Sequence, residues 1–248
     1  MKNLWMLIVW LSVVISTGAQ VRAPSLGWPG YGATDEEVVG SWSADDGVAV
    51  GASWNEWSYL QTALSQIGTM ASSGAQYNFD GIDDALNLGL TNSAQLGTTY
   101  SLSCWVKPDS VTGTHEMITN RDNPGANSIL FFLRSVATNL EFVVRGAAVT
   151  PVIGIASNVN ALTVGQWHHC VAVRNGNTIQ VYVNNTAGIS DTQSFGAILN
   201  IRTYMGAAFQ LGVGTEWFDG LIDDAVMYRL ALSTAQIRQL YEQGKPFH

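Results

Sequence analysis

The chain is poor in charged residues and poorest in cationic ones. Only 12% of its 248 residues are charged, and 11 lysines and arginines are outnumbered by 19 aspartates and glutamates, which gives a formal net charge of −8 at pH 7. A surface of this sign repels the phosphates of nucleic acids and the headgroups of anionic membranes. We therefore expect no nucleic-acid partner.

Long hydrophobic runs are also scarce, and a marked one lies at the start of the chain. Lys2 precedes an apolar run over residues 4–15, and small residues follow at 16–19. This pattern is typical of a secretory signal, so we predict that residues 1–19 are a signal peptide and that the mature protein is secreted, periplasmic or at the cell surface. A retained N-terminal anchor is the alternative. No later stretch reaches the roughly 18 apolar residues of a spanning helix, so no membrane span is expected after cleavage.

Only two cysteines are present, Cys104 and Cys170. An even count in an exported protein favours a disulfide between them. Both cysteines also lie in apolar, strand-like runs, where a free cysteine serves as a small buried hydrophobe. The two interpretations stay open, and neither spacing nor neighbours indicate a zinc site.

Short runs of alternating apolar residues recur along the chain, separated by turn-forming residues. Segments 101–106 and 178–184 are two of them, and their alternation predicts antiparallel strands. Asn175-Gly176 predicts a hairpin that pairs segments 167–174 and 178–183. Together these signals predict one all-β domain.

Helical patterns are rare. One helix is predicted over residues 233–243, because Ser233 is a good N-cap and Ile237, Leu240 and Tyr241 share a face. A weaker helical pattern covers residues 56–67.

A block of acidic residues occurs twice. Phe79-Asp80-Gly81-Ile82-Asp83-Asp84-Ala85 returns, with one residue inserted, as Phe218-Asp219-Gly220-Leu221-Ile222-Asp223-Asp224-Ala225. Carboxylates concentrated beside turn-forming glycine suit Ca²⁺, which takes several oxygen ligands in irregular geometry. The predicted ligands of a structural calcium ion are Asp80, Asp83, Asp219 and Asp223. The alternative is that each block is a turn that enters a strand.

Six blocks of the sequence occur in an order that resembles a known family. The blocks are residues 39–42, 79–84, 100–108, 165–173, 179–184 and 218–233. They resemble the laminin G-like jelly-roll domains of the concanavalin A-like lectin/glucanase superfamily, and the resemblance covers residues 38–244. It implies a two-sheet antiparallel jelly-roll sandwich with a short C-terminal helix, in which the first and last strands meet and the two acidic blocks lie close together. Members often bind Ca²⁺ and glycans, but many bind neither.

The resemblance also divides the chain. It predicts a jelly-roll domain over residues 38–248, and the proline- and glycine-rich composition before it predicts an irregular leader over residues 20–37, either a linker or a packed N-terminal arm. Residues 47–75 depart from the family, which has a short turn there. This segment carries aromatic residues whose faces suit sugars, and a polar loop predicted over residues 115–127 is a second candidate for recognition. The predicted ligand-binding residues are Trp54, Trp57, Tyr59, His115, Arg121, Asp122 and Asn123. The alternatives are aromatic packing over the sandwich edge and a solvated turn.

Catalytic signals are missing from the sequence. Glycosidases built on sandwiches of this kind place a pair of carboxylates across the sugar, and in them the acids alternate along one strand. Glu141 stands alone in its strand-like run, and the acids at 83–84 and 223–224 are adjacent rather than alternating. A nucleophile elbow, a phosphate-binding glycine loop and Cys/His metal spacing are also missing. We therefore predict that the protein is not an enzyme.

The sequence predicts a secreted, non-catalytic, lectin-like module that binds a glycan or cell-surface polysaccharide, with structural Ca²⁺ as a candidate cofactor. The second hypothesis is a structural or adhesive component of a cell or virion surface, with a protein partner and with the jelly roll as a packing unit. A degenerate glycoside hydrolase ranks third.

Overall fold

The described residues form a sandwich of two antiparallel sheets with one α-helix. The computed structural model describes residues 38–42, 65–67, 71–72, 76–91, 96–120, 130–146, 153–196, 201–210 and 213–245. Its elements confirm the predicted all-β jelly-roll sandwich with a short C-terminal helix. The predicted signal peptide and leader lie outside the described residues. Within the described ranges, no helix has both the length and the apolar character needed to cross a bilayer.

One sheet, called sheet A, contains nine strands, which we number with all others in chain order. They are β1 (Val38–Trp42), β3 (Ala71–Ser72), β4 (Tyr77–Asp80), β6 (Thr99–Pro108), β11 (His168–Asn175), β12 (Thr178–Val183), β13 (Thr186–Ala187), β14 (Asp191–Thr192) and β18 (Asp219–Tyr228). The order is β13-β12-β11-β6-β18-β4-β3, with β1 also on β18 and β14 also on β12. First and last strands therefore meet, as the family resemblance implied.

The opposing sheet, sheet B, contains seven strands. They are β2 (Ser65–Ile67), β5 (Ala85–Thr91), β7 (Thr114–Thr119), β8 (Leu130–Val136), β9 (Asn139–Arg145), β10 (Ile153–Asn158) and β15 (Ile201–Met205). The order is β10-β9-β8-β7-β15-β5-β2, and a separate hairpin pairs β16 (Ala208–Gln210) with β17 (Val213–Thr215).

Two sequence predictions are wrong in these regions. Residues Ser65–Ile67 form strand β2 and not the end of a helix over 56–67. Residues Thr114–Thr119 form strand β7 inside sheet B, whereas the sequence predicted that a loop starts at 115. Polar side chains such as His115 hid the strand, because a buried polar residue breaks the apolar alternation on which the prediction depended.

The main core lies between the sheets. Leu102 and Val106 of β6 face it from sheet A, and Phe142 and Val144 of β9 face it from sheet B, all of them with no exposed surface. The residues of β6 that point to the other face of sheet A are buried as well. Something must therefore cover the outer face of sheet A.

Helix α1 (Thr234–Gly244) provides part of that cover. Ser233 caps the helix, because its side chain accepts a hydrogen bond from the backbone of Gln236 while the Gln236 side chain accepts one from the backbone of Ser233. Its buried residues Ile237 and Leu240 pack with valines and a tyrosine from the outer faces of β11 and β18, in a second apolar cluster. The predicted helix is thus confirmed to within one residue at each end.

The edge of sheet B at β10 is covered by a chain segment that crosses from sheet A. Ile189 pairs with Ser157 through backbone hydrogen bonds of 3.0 and 2.6 Å. One carboxylate oxygen of Asp191 accepts the N–H of Ile155 at 3.0 Å. Residues 189–191 therefore cover the outer edge of β10 at Ile155 and Ser157 and tie the two sheets together on that side.

Candidate functional site at an acidic rim

The first acidic block forms a tight loop that joins β4 of sheet A to β5 of sheet B. Gly81 has φ of +73°, a conformation that glycine adopts readily. The Oδ1 atom of Asp80 accepts the N–H groups of Ile82 at 2.8 Å and Asp83 at 3.2 Å. Asp84 Oδ2 accepts the N–H of Asp80 at 3.2 Å. The carboxylates therefore hold the loop in shape before any ligand arrives.

Three of these carboxylates converge. Asp80, Asp83 and Asp84 each present an oxygen, and the three oxygens lie within 4.8 Å of one another. Oxygens bound to one Ca²⁺ at 2.3 to 2.6 Å, the usual range, would have separations of this order. Asp80 and Asp83 are exposed and Asp84 is buried, so the group is open to solvent on one side.

Strand β18 brings a fourth carboxylate to this loop. Asp219 lies in register opposite Asp80. A side-chain carbon on Gly81 would be 2.8 Å from Cβ of Asp219, so the loop packs directly against it. The backbone carbonyl of Asp219 accepts the N–H of Asp109 at 2.9 Å. We call Asp80, Asp83, Asp84, Asp109 and Asp219 the acidic rim.

The electrostatics of the acidic rim are repulsive in the absence of a cation. Burial raises the pKa of Asp219 above its ordinary value, the neighbouring charge of Asp109 raises it further, and Asp80 adds a smaller effect of the same sign. His115 acts in the opposite direction. A site whose carboxylates repel one another favours protons or a cation.

The two acidic blocks do lie together, as predicted, but they have different shapes. Phe79 and Phe218 meet edge to face with ring centroids 6.1 Å apart, beneath the rim. The first block turns between the sheets, whereas the second continues along β18. Asp223 consequently lies further along that strand, opposite Trp105 and only 2% exposed. The structure brings together Asp80, Asp83 and Asp219 of the predicted calcium ligands, leaves Asp223 apart, and adds Asp84 and Asp109.

His115 lies close enough to the rim to act on the charge of Asp219. The ring is nearly buried, with Nδ1 2.6 Å from the carbonyl of Trp217 and Nε2 2.9 Å from the carbonyl of Thr112. Both ring nitrogens thus contact backbone, and the ring packs edge to face on Phe218. The structure places His115 as a link from β7 to the turn before that strand and to the connection between β17 and β18.

The remaining predicted site residues have separate outcomes. Trp54, Trp57, Tyr59, Arg121, Asp122 and Asn123 lie outside the described residues and stay predictions. Cys104 and Cys170 are buried at directly opposite positions of neighbouring strands, unbonded in this structure, and the predicted disulfide stays a prediction.

Sequence reasoning did not select Trp217, an aromatic residue that directly precedes the second acidic block. Its ring packs edge to face on Phe209, with centroids 5.8 Å apart, and lies against Gly214. The side chain is only partly buried, and it stands two residues before Asp219. Its position directly before the second acidic block was the signal that could have identified it.

Two acids of sheet B lie on either side of an arginine, which binds one of them. Arg134 of β8 is in register with Glu116 of β7 on one side and with Glu141 of β9 on the other. Its Nε and Nη2 atoms donate to one oxygen of Glu141 at 3.2 and 3.0 Å. Glu116 has no exposed surface. These two glutamates are therefore not an open carboxylate pair.

A two-sheet jelly roll of this kind is the architecture of lectin-type domains. The chain belongs to the concanavalin A-like lectin/glucanase superfamily, whose laminin G-type family model matches residues 79–238. No curated protein sequence matches the chain.

Solved structures with the same fold include binding domains. Domain 4 of AbnA, a GH43 extracellular arabinanase from Geobacillus stearothermophilus solved in complex with arabinotriose, is similar at 18% identity and a TM-score of 0.64, over 83% of this chain and 98% of that one. The binding domain of botulinum neurotoxin serotype D is similar at 13% identity and a TM-score of 0.64, over 84% of this chain and 51% of that one. The chain thus spans about half the length of the toxin domain. At these identities the likeness establishes the fold.

Proposed function

We propose that the protein is a non-catalytic, glycan-binding module that works outside the cytoplasm and recognises a glycan or surface polymer at the acidic rim. The observation that carries the proposal is the likeness to the arabinanase domain solved with arabinotriose, which extends over 98% of that domain. The rim adds chemistry that suits a sugar, since carboxylates and a bound cation both engage hydroxyl groups. Trp54, Trp57 and Tyr59, predicted from sequence, and the partly buried Trp217, two residues before Asp219, would offer the aromatic faces on which a sugar ring packs.

We propose Ca²⁺ as the cofactor of the rim. The donor set fits this ion, because Ca²⁺ prefers carboxylate oxygens and tolerates irregular geometry. The loop over 80–84 is held by its own hydrogen bonds, so little ordering remains for the ion to impose. Burial is the main cause of the raised pKa of Asp219, and a divalent cation would relieve the repulsion from Asp109 and Asp80 that adds to it. The ion would hold the loop, and its free coordination positions would meet sugar hydroxyls.

The non-catalytic part of the proposal is supported by where the acids are. Glycoside hydrolysis needs two carboxyl groups on either side of the scissile bond. The acids of the rim converge on one point, and Glu141 on sheet B is tied to Arg134. Neither arrangement resembles an acid and a nucleophile that face each other across a cleft.

The first test is a glycan array probed with the full chain, in Ca²⁺ and again in chelator. We expect selective binding in Ca²⁺ that disappears in chelator. Trp54→Ala and Trp57→Ala should each weaken binding about tenfold or more, because a buried aromatic contact often contributes 2 kcal/mol or more. Glu242→Gln, an exposed change on α1, should bind as the wild type does.

A blank array in both conditions would contradict the glycan proposal. It would favour the second function, a structural or adhesive surface component. Exposed isoleucines at and beside the β10 edge support that function, since Ile153, Ile155 and Ile189 are 49%, 44% and 63% exposed. Exposed apolar side chains that are close together mark protein contacts. Light scattering of the purified protein would then show assembly into oligomers if this second function is right.

The calcium proposal predicts a thermal shift. At a Ca²⁺ concentration a hundred times the dissociation constant, mass action stabilises the fold by about 2.7 kcal/mol, which is about 5–10 °C in Tm for a domain of this size. Asp80→Asn and Asp83→Asn should abolish the shift, and Glu242→Gln should keep it. Because burial and neighbouring carboxylates raise the pKa of Asp219, protons compete for this ligand, and the shift should shrink as the pH falls from neutral into the acidic range.

Differential scanning calorimetry in Ca²⁺ and in chelator measures this shift. Equal wild-type Tm values in the two buffers would show that the carboxylates only accept hydrogen bonds within the loop.

A further inference from the structure

The two cysteines face each other across a strand pair. Cys104 of β6 and Cys170 of β11 are direct Cα partners in register. Both have no exposed surface and belong to the core between the sheets, with Leu102 and Val106 on the same face of β6. The sequence left a disulfide and two buried thiols as alternatives, and the register places the two side chains next to each other on the same face of the sheet.

The hydrogen-bond pattern shows whether Cys104 and Cys170 are a hydrogen-bonded or a non-hydrogen-bonded pair of the antiparallel ladder. The N–H of His169 donates to Asn184 Oδ1 and its carbonyl accepts the N–H of Asn184, both at 2.9 Å, so the backbone of His169 points to β12. The direction in which backbone N–H and C=O groups point alternates along a strand, so those of Cys170 point to β6. The N–H of Gly176, six residues further on, agrees with this, because it donates to the carbonyl of Thr98 at 2.9 Å. The cysteines thus form a hydrogen-bonded pair, for which the Cα separation is about 5.5 Å. Disulfides span Cα separations of about 4.4–6.8 Å.

We propose that Cys104 and Cys170 form a cross-strand disulfide that joins β6 to β11 and closes during folding. Each thiol loses one proton and one electron, and the sulfurs form one S–S bond. The oxidant is another disulfide, such as that of an oxidised dithiol catalyst or of oxidised glutathione, which accepts the two electrons and two protons and becomes two thiols.

The core determines when this reaction takes place. Exchange requires a thiolate and access to it. Burial raises the pKa of Cys104 to about 12, and it raises that of Cys170 well above its ordinary value, with a further contribution from Cys104. Once the sandwich has packed, neither thiol is ionised near neutral pH nor reachable. The bond therefore forms while the chain folds, and the compartment of folding decides whether it is present. An exported chain would acquire it.

The test is refolding of the full chain from denaturant in a mixture of reduced and oxidised glutathione. After refolding, the protein is unfolded in the presence of an alkylating reagent, and its intact mass is measured. We expect no alkylation, a mass two hydrogens below the reduced chain, and a digest that links the peptides of Cys104 and Cys170. The oxidised protein should also melt about 5–15 °C above the same protein refolded in reductant.

Two comparisons make the result specific. Cys104→Ala and Cys170→Ala leave one thiol each, so each should take up one alkyl group or one glutathione. Wild type that has folded reduced should resist oxidised glutathione for hours, and mild denaturant should accelerate its oxidation. Two alkylated thiols, or a glutathione on each cysteine, in the glutathione-refolded wild type would overturn the proposal. Oxidation of the folded, reduced protein as fast as of the unfolded chain would overturn the claim that the core seals the pair.

Discussion

Gly220→Ala should lower the free energy of unfolding by about 3–5 kcal/mol, the sum of a strained backbone and an overlap in a packed site. Gly220 has φ of +134°, and a Cβ there would be 2.3 Å from the carbonyl oxygen of Lys107 and 2.8 Å from the amide nitrogen of Asp109. Both neighbours are backbone atoms, so β18 and β6 would have to separate at the rim. Urea denaturation of the variant and the wild type measures the loss.

The matched control for this variant is Gly113→Ala. Gly113 has φ of +91°, and a Cβ there would have no atom within 4 Å. It therefore carries the backbone strain without the overlap and should cost about 1–2 kcal/mol. If the two variants lose the same stability, the close approach of β6 and β18 at Gly220 contributes nothing. Because Asp219 precedes Gly220, the Gly220 variant should also lose its calcium shift.

Arg174→Ala should cost about 3–5 kcal/mol, because it leaves a cavity and two carbonyls without their donor. Arg174 has no exposed surface, and its Nε and Nη2 atoms donate to the carbonyls of Gly176 at 2.9 Å and Gly196 at 2.6 Å. The guanidinium carbon lies 5.8 Å from the ring centre of Tyr100 and 5.3 Å from that of Phe195. Those ring faces add a favourable contact with the cation.

Two further substitutions separate the contributions of Arg174. Arg174→Met restores most of the volume without the donors, so it should recover only part of the lost stability. Arg238→Ala removes an exposed arginine from α1 and should change stability by about 0.5 kcal/mol or less. If Arg174→Met were as stable as the wild type, packing and not hydrogen bonding would be what this side chain supplies.

Local signals predicted the elements that depend on local chemistry. The Asn175-Gly176 hairpin is present, with Asn175 opposite Thr178 and the strands paired as expected. The capped C-terminal helix is present for the same reason, since Ser233 and Gln236 need only each other. Strand β7 was missed because His115 obtains its partners from Thr112 and Trp217, and the latter lies about a hundred residues away in sequence. No local pattern reports such a contact.

The sequence predicted only part of the acidic rim, because the rest depends on contacts between distant parts of the chain. The repeated block predicted that Asp80 and Asp219 meet, and register confirms it. The repeat also aligned Asp83 with Asp223. The second block, with Leu221 inserted, continues as strand β18, whereas the first block turns at Gly81, so these two aspartates lie apart. Asp109 comes from a different part of the chain, so only the fold could place it. The aromatic candidates at 54–59 lie outside the described residues.

The segment that crosses from sheet A to the edge of sheet B limits how copies of this protein can polymerise. A free edge strand offers its N–H and C=O groups to a strand of another molecule, which is how sheets extend into fibres. On β10 the backbone groups of Ser157 and the N–H of Ile155 are already taken by Ile189 and Asp191 of the same chain. Asp191→Ala should therefore release part of a template for intermolecular strand addition. The protein can display exposed isoleucines beside that edge because the neighbouring backbone is closed to strand exchange.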